Sequence, residues 1–128
     1  MQERRTADRE PLPVQTTLGR RVRIVEDDPS LATMLLYALT DAGFRPVVTT
    51  SGFASLLTDA PWEGIDSALV DIRLGEETTG KDILRYLAGQ FPQIRRVVLT
   101  AFSDTPLGDL AHLVLTKPSS LDALTAAL

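Results

Sequence analysis

Residues 22–43 read VRIVEDDPSLATMLLYALTDAG, and this stretch decides the fold. A short apolar run, Val22–Val25, passes abruptly into Glu26, Asp27 and Asp28. Asp28, Pro29 and Ser30 then supply the capping and first-turn chemistry of a helix. Leu31, Leu35, Ala38, Leu39 and Ala42 recur at helical spacing on one face, and Gly43 ends the pattern. A strand that stops in acids and is followed at once by a helix is the opening of a βαβ unit.

The same grammar recurs along the chain. Ala68–Val70 runs into Asp71, Val97–Leu99 into Thr100, and Leu113–Leu115 into Thr116, Lys117 and Pro118. Strands are expected near 22–26, 46–49, 67–71, 95–100 and 112–116, alternating with helices. A short second helix is expected near Gly52–Asp59, stopping before Pro61. A third, about Lys81–Gln90, places Ile83, Leu84, Leu87 and Ala88 on one stripe, and a last one follows Ser119 and Ser120 with Leu121, Leu124 and Leu128 at helical spacing. Between Ala101 and Ala111, Pro106 and Gly108 leave room for one or two helical turns at most.

If the strands are parallel, their carboxyl ends line one edge, where open α/β sheets bind ligands. Glu26, Asp27 and Asp71, the Thr100 hydroxyl and the Lys117 ammonium then meet in one crevice. Three carboxylates about 4 Å apart repel by on the order of 10 kcal/mol at an effective dielectric near 20, so the cluster calls for cations. Mg²⁺, a hard ion that takes one or two carboxylates and keeps waters and phosphate oxygens, fits best. Beside such an ion an Asp can act as nucleophile toward a phosphoryl group, with Lys117 neutralising charge and Thr100 donating to a phosphoryl oxygen.

Composition bounds the alternatives. The chain has 128 residues, enough for one domain, and no cysteine, which removes disulfides, zinc thiolates and thiol catalysis. No apolar run is of membrane-spanning length and the N-terminus lacks the apolar core of a secretion signal, so a cytoplasmic location with no membrane partner is the expectation. Residues 1–21 carry five arginines against three acids, a charge of +2, which leaves −6 for the rest of a chain whose total is −4. An acidic body argues against nucleic acid as a partner, and the Pro-containing residues 1–21 read as a flexible extension. His112, at the start of the last strand, lies away from the crevice and reads as a packing or solvated residue, and Trp62 as cover for a core edge. Met34, Leu36 and Tyr37 make the first helix unusually apolar; burial is the expected outcome, with a partner surface or homodimer contact as the alternative.

The strings RIVEDDPSLATMLLYAL, ALVDIRLGEETTGKDILRYL, VVLTA and VLTKPSSLDAL, in that order over residues 22–128, resemble the receiver domain of two-component response regulators. The resemblance implies a flavodoxin-like, doubly wound α/β fold with a five-stranded parallel sheet of order 2-1-3-4-5 and five helices, the fourth shortened here. It implies Asp71 as phospho-acceptor and Mg²⁺ held by Glu26, Asp27, Asp71 and the Arg73 backbone carbonyl; with no linker or second domain read after the last helix, a stand-alone receiver is the expectation. Thr100 falls on the switch hydroxyl and Lys117 on the phosphate-binding lysine, with Lys117–Pro118 cis. The partners implied are a histidine kinase or histidine phosphotransfer protein and a downstream protein, the domain catalysing its own phosphorylation and dephosphorylation. Arg73 and Phe102 fall on positions that adjust dephosphorylation in relatives. Gly75 stands where many relatives have Pro, and Val114 replaces the aromatic residue that relatives often carry three residues before the lysine. These departures keep a second reading open, a receiver-like binding module that signals without phosphate. A small aspartyl-phosphate phosphatase would carry its nucleophile on the first strand with a second Asp two residues on, and a P-loop enzyme would need GxxxxGK[ST], which is absent.

Overall fold

The computed structural model describes residues 18–102 and 106–128. Five parallel strands, β1 (Arg21–Val25), β2 (Arg45–Thr49), β3 (Ser67–Val70), β4 (Arg95–Thr100) and β5 (Leu113–Thr116), form one sheet of order β2-β1-β3-β4-β5. Three α-helices stand among the described residues: α1 (Pro29–Asp41), α2 (Gly80–Gln90) and α3 (Leu121–Ala127). None is long and apolar enough to cross a membrane. The expected extension falls, as far as Thr17, outside the described residues. Gly19 N–H donates to the Gly43 carbonyl and Arg20 Nε to the Leu128 carbonyl, and β1 begins at Arg21.

Strand alternation sorts the core into two layers. Val22, Ile24, Leu69, Val97 and Leu99 face α1 and α3, packing on Leu35, Leu39, Leu124 and Ala127. Val25, Ala68, Val70 and Val98 face the other way, onto Ile83, Leu84 and Leu87 of α2 together with Phe53, Leu56 and Trp62. β3 and the second half of β4 are therefore buried on both faces, which is why Ala68–Val70 and Val97–Leu99 read as unbroken apolar runs, whereas β1 carries the half-buried Arg23 beside the Trp62 ring.

Helix ends follow the capping chemistry. The Asp28 carboxylate accepts from Ser30 and Leu31 N–H ahead of α1, with Pro29 in its first turn. Thr79 and Asp82 form a reciprocal capping box at the start of α2. Ser120 Oγ accepts from Ala123 N–H ahead of α3.

The expected second α-helix is absent. Two 3-10 turns, Phe53–Leu56 and Ala60–Trp62, take its place between β2 and β3. Gly52 enters with φ +65°, Ser55 and Thr58 hydroxyls bond back to local carbonyls, and Pro61 removes a backbone donor, so no run is long enough to propagate an α-helix. The expected fourth helix is reduced, among the described residues, to a 3-10 turn at Gly108–Leu110. Trp62 is fully buried, with its indole N–H donating to the Leu56 carbonyl at 2.7 Å. Met34 and Tyr37, expected to be buried, lie on the outer face of α1 with 60% and 65% exposure.

Candidate functional site

The crevice forms where β1, β3, β4 and β5 end together. The ladder continues one step past β3, where Asp71 N–H donates to the Val25 carbonyl at 2.9 Å, setting the Asp71 carboxylate beside the residues that follow β1. Likewise Lys117 N–H donates to the Thr100 carbonyl at 2.8 Å, tying the end of β5 to the end of β4. The Lys117–Pro118 peptide bond is cis.

The Lys117 ammonium spans the two buried acids. Its Nζ lies 2.9 Å from Glu26 Oε1 and 3.0 Å from Asp71 Oδ2. Glu26 is 2% exposed and also accepts from Asp28 N–H at 3.1 Å. Burial pushes the Glu26 carboxyl above the ordinary range and the neighbouring Asp71 charge adds to this, while the contact to Lys117 opposes it. Burial alone would lower the Lys117 ammonium, but the hydrogen bonds and charges of Glu26 and Asp71 outweigh it and hold the group above its ordinary value.

Asp27 completes the acid trio. One carboxylate oxygen from each of Glu26, Asp27 and Asp71 lies within 4.8 Å of the others. Asp27 alone of the three is solvent-exposed. Hard oxygen donors at this spacing, with one open side for water, fit a small divalent cation such as Mg²⁺. Thr100 is fully buried, and its Oγ accepts from Phe102 N–H at 3.1 Å; among the described residues its own hydroxyl proton has no acceptor. Glu26, Asp27, Asp71 and Lys117 thus come together, and Thr100 ends the strand between β3 and β5, with its carbonyl bonded to the Lys117 N–H. His112 is not among them; its Nδ1 accepts from Arg96 N–H at the far end of β5.

Three features of the site had weak or no signal in the residue pattern. Gly80 packs so closely on the end of β3 that a Cβ there would lie 2.0 Å from the Asp71 carbonyl oxygen. Arg73 folds its guanidinium over the Phe102 ring, 3.7 Å from the centroid, across the mouth of the crevice. Asp71 Oδ1 accepts from Arg73 N–H at 3.3 Å, so the loop curls around that carboxylate. Next to the crevice a hollow of about 370 Å³ is lined by Leu31, Met34, Leu35, Leu99, Lys117, Pro118 and Ser119.

Comparison with known proteins agrees with this architecture. Solved structures with the same fold include a response regulator receiver domain protein from Clostridium thermocellum, with TM-score 0.73 and 19% identity over 84% of this chain and 90% of that one. Another is the response regulator TrrA from Thermotoga maritima in complex with Mg²⁺ and BeF, with TM-score 0.72 and 18% identity over 84% of this chain and 94% of that one. A third is a response regulator from Burkholderia pseudomallei with a phosphorylated aspartic acid, calcium ion and citrate, with TM-score 0.73 and 23% identity over 85% and 66%. No curated protein matches by sequence. The family model for the response regulator receiver domain matches residues 22–128, and with the strand order and the convergent acids this chain belongs to the response regulator receiver domain family.

Proposed function

We propose that this receiver accepts a phosphoryl group on Asp71 from a histidine kinase or a histidine phosphotransfer protein, with Mg²⁺ bound in the acid pocket, and that the acyl phosphate alters a protein-interaction surface. The observation that carries the reading is the Lys117 ammonium held between Glu26 and Asp71 at the meeting point of strands far apart in the chain. A cation already faces the acceptor oxygen, where an incoming phosphoryl group brings further negative charge.

Glu26, Asp27 and Asp71 would hold Mg²⁺ with the Arg73 backbone carbonyl. Bound there, the ion supplies neutralising charge for the acids and the phosphoryl oxygens. An Asp71 carboxylate oxygen attacks phosphorus; a P–O bond forms as the P–N bond to the donor imidazole breaks, and the imidazole leaves with a proton from solvent. Lys117 moves its contact from Asp71 to a phosphoryl oxygen, and Thr100 donates its hydroxyl proton to another. Hydrolysis of the acyl phosphate by water at the same groups returns Asp71, so the domain catalyses both its loading and its clearing. The apolar hollow that shares Lys117 with the site suits the face of a donor protein presenting its phosphohistidine beside Asp71. Such a partner goes with a cytoplasmic location, and the exposed Met34 and Tyr37 extend the same face for a protein contact or a homodimer.

The test is intact-protein mass after incubation with Mg²⁺ and a small acyl phosphate. Wild type gains one phosphoryl group, and Asp71→Asn gains none. An unchanged wild-type mass with both a small donor and a phosphohistidine donor would instead favour the phosphate-independent binding module.

A further inference from the structure

The loop that leaves Asp71 is anchored at both ends. Asp71 Oδ1 accepts from Arg73 N–H at one end, and Gly80 N–H donates to the Ile72 carbonyl at the other. Leu74 is buried in the core, whereas Gly75 and Glu76 stand in solvent. From there the Glu76 carboxylate crosses to the first 3-10 turn, and its two oxygens accept from Gly52 N–H and Phe53 N–H at 3.0 Å each. That turn has no side-chain cap of its own. A carboxylate giving one oxygen to each of two successive amides is a strong, oriented contact. Phe53 is fully buried, so Glu76 ties an exposed loop to a residue of the core.

Gly75, one residue earlier, is where the loop approaches the acids. A Cβ there would stand 3.1 Å from Asp27 Oδ2, and its φ of +65° is one that side chains disfavour. Asp27 is the exposed member of the acid trio, and therefore the carboxylate with room to turn away.

We propose that Glu76 is a positioning residue for the cation pocket: clamped on Gly52 and Phe53, it holds the Gly75 backbone against Asp27 and so sets the direction from which that carboxylate meets a divalent ion. The proposal rests on the reading of Glu26, Asp27 and Asp71 as the metal site. Coupling of this kind is reciprocal, so an ion on Asp27 tightens the clamp on the 3-10 turn.

The experiment titrates the full chain with Mg²⁺ by calorimetry and follows amide hydrogen exchange at Gly52 and Phe53 with and without the ion. Glu77→Gln is the control, since it removes the same charge from the next residue, whose carboxylate accepts no hydrogen bond from a described residue. Glu76→Ala weakens Mg²⁺ binding on the order of tenfold, the low end for partners that orient metal ligands. Glu77→Gln changes it by about twofold at most, as expected for an exposed charge. Glu76→Gln, which keeps one acceptor, falls between them, and Mg²⁺ slows exchange at Gly52 and Phe53 in wild type. Equal weakening by Glu76→Ala and Glu77→Gln, or exchange at the two amides indifferent to Mg²⁺ in a wild type that binds it, overturns the positioning role alone. A wild type that binds no Mg²⁺ overturns the metal reading itself, and this inference with it.

Discussion

Replacing Lys117 by Ala tests the electrostatics of the crevice most directly. With Nζ 2.9 and 3.0 Å from its two acids, each contact is worth about 6 kcal/mol of Coulomb attraction at an effective dielectric near 20. The Glu26 and Asp71 oxygens, within 4.8 Å of each other, repel by about 3.5 kcal/mol on the same scale. Much of the gross attraction offsets the cost of taking three charges out of water, and the Lys117 side chain keeps 23% of its exposure. A net loss of about 3 kcal/mol in the metal-free protein follows, the low end for removing one partner of a buried ion pair.

The pH dependence separates this account from simple loss of packing. Glu26 is already raised above its ordinary 4.5 by burial, against the pull of Lys117; without the ammonium it rises further. A carboxyl raised by folding holds a proton in the folded chain that the unfolded chain has released. The variant therefore loses stability as pH climbs from 4.5 through the raised value. Lys117, raised above 10.5 in the fold, contributes to wild type at every pH below that and loses its contribution only as pH climbs through its own raised value. The gap between the two proteins is thus small near pH 4.5, widens toward neutral pH and narrows again above 10.5. Urea denaturation followed by Trp62 fluorescence measures it, since Trp62 is buried in the fold. Mg²⁺ stabilises Lys117→Ala more than wild type, because the ion replaces the missing charge. A gap that stays constant with pH and does not respond to Mg²⁺ would refute the reasoning.

Gly80→Ala sets a methyl group 2.0 Å from the Asp71 carbonyl oxygen, so β3 and α2 must part; it should cost about 3 kcal/mol or more by overpacking and slow loading of Asp71, read by denaturation and intact mass. Thr100→Val keeps the shape of a fully buried side chain but removes the hydroxyl; Asp71 should still gain mass, while the change in amide exchange between unloaded and loaded protein shrinks. His112 is held below its ordinary 6.5, chiefly by burial and then by the Arg96 and Arg95 charges, so the unfolded chain binds the proton first and stability falls as pH drops below 6.5. His112→Gln should flatten that part of the stability profile, and an identical slope in both proteins would show that His112 carries none of it.

The chain declares its sheet because β3 and the second half of β4 are buried on both faces and each central strand ends in a residue of different chemistry. Ile24, Leu69 and Leu99 serve one layer and Val25, Val70 and Val98 the other, so runs such as Ala68–Val70 admit little but a buried parallel strand. Helix starts were equally legible, Asp28 before Pro29 being one and Ser120 before Leu121 another. The first 3-10 turn was not: Phe53 and Leu56 have a spacing that an α-helix also uses, and what keeps the run short is local, the left-handed Gly52, the Ser55 and Thr58 hydroxyls bonded back to nearby carbonyls and Pro61. The acids and the lysine could be read from strand ends, because position along a strand sets height in the sheet. Contacts that depend on loop path, such as Gly75 on Asp27 or Arg73 on Phe102, have no periodicity to betray them.

Among the described residues the connection between β4 and β5 holds only a 3-10 turn, and polar contacts fix its end. Arg96 is 7% exposed, and its guanidinium donates to the carbonyls of Leu110 at 2.8 Å, Asp109 at 3.3 Å, and Pro92 and Ile94 at 3.4 Å each. These carbonyls come from the loops entering β4 and β5, so one planar donor set joins segments that a helix would otherwise hold by packing. His112 adds to the same corner: its own N–H donates to the Arg96 carbonyl and its ring accepts from the Arg96 N–H, both at 2.8 Å. The start of β5 is therefore fixed by polar contacts rather than apolar burial, which leaves Val114 and Thr116 uncovered on the sheet face. Val114, 36% exposed, stands where the resemblance led one to expect an aromatic side chain, so β5 offers no ring beside Thr100 at that position. On the proposed reading of the acids as a cation pocket, the contacts that lead away from it run through the loop after Asp71, where Gly75 lies against Asp27 and Glu76 binds the 3-10 turn at Phe53.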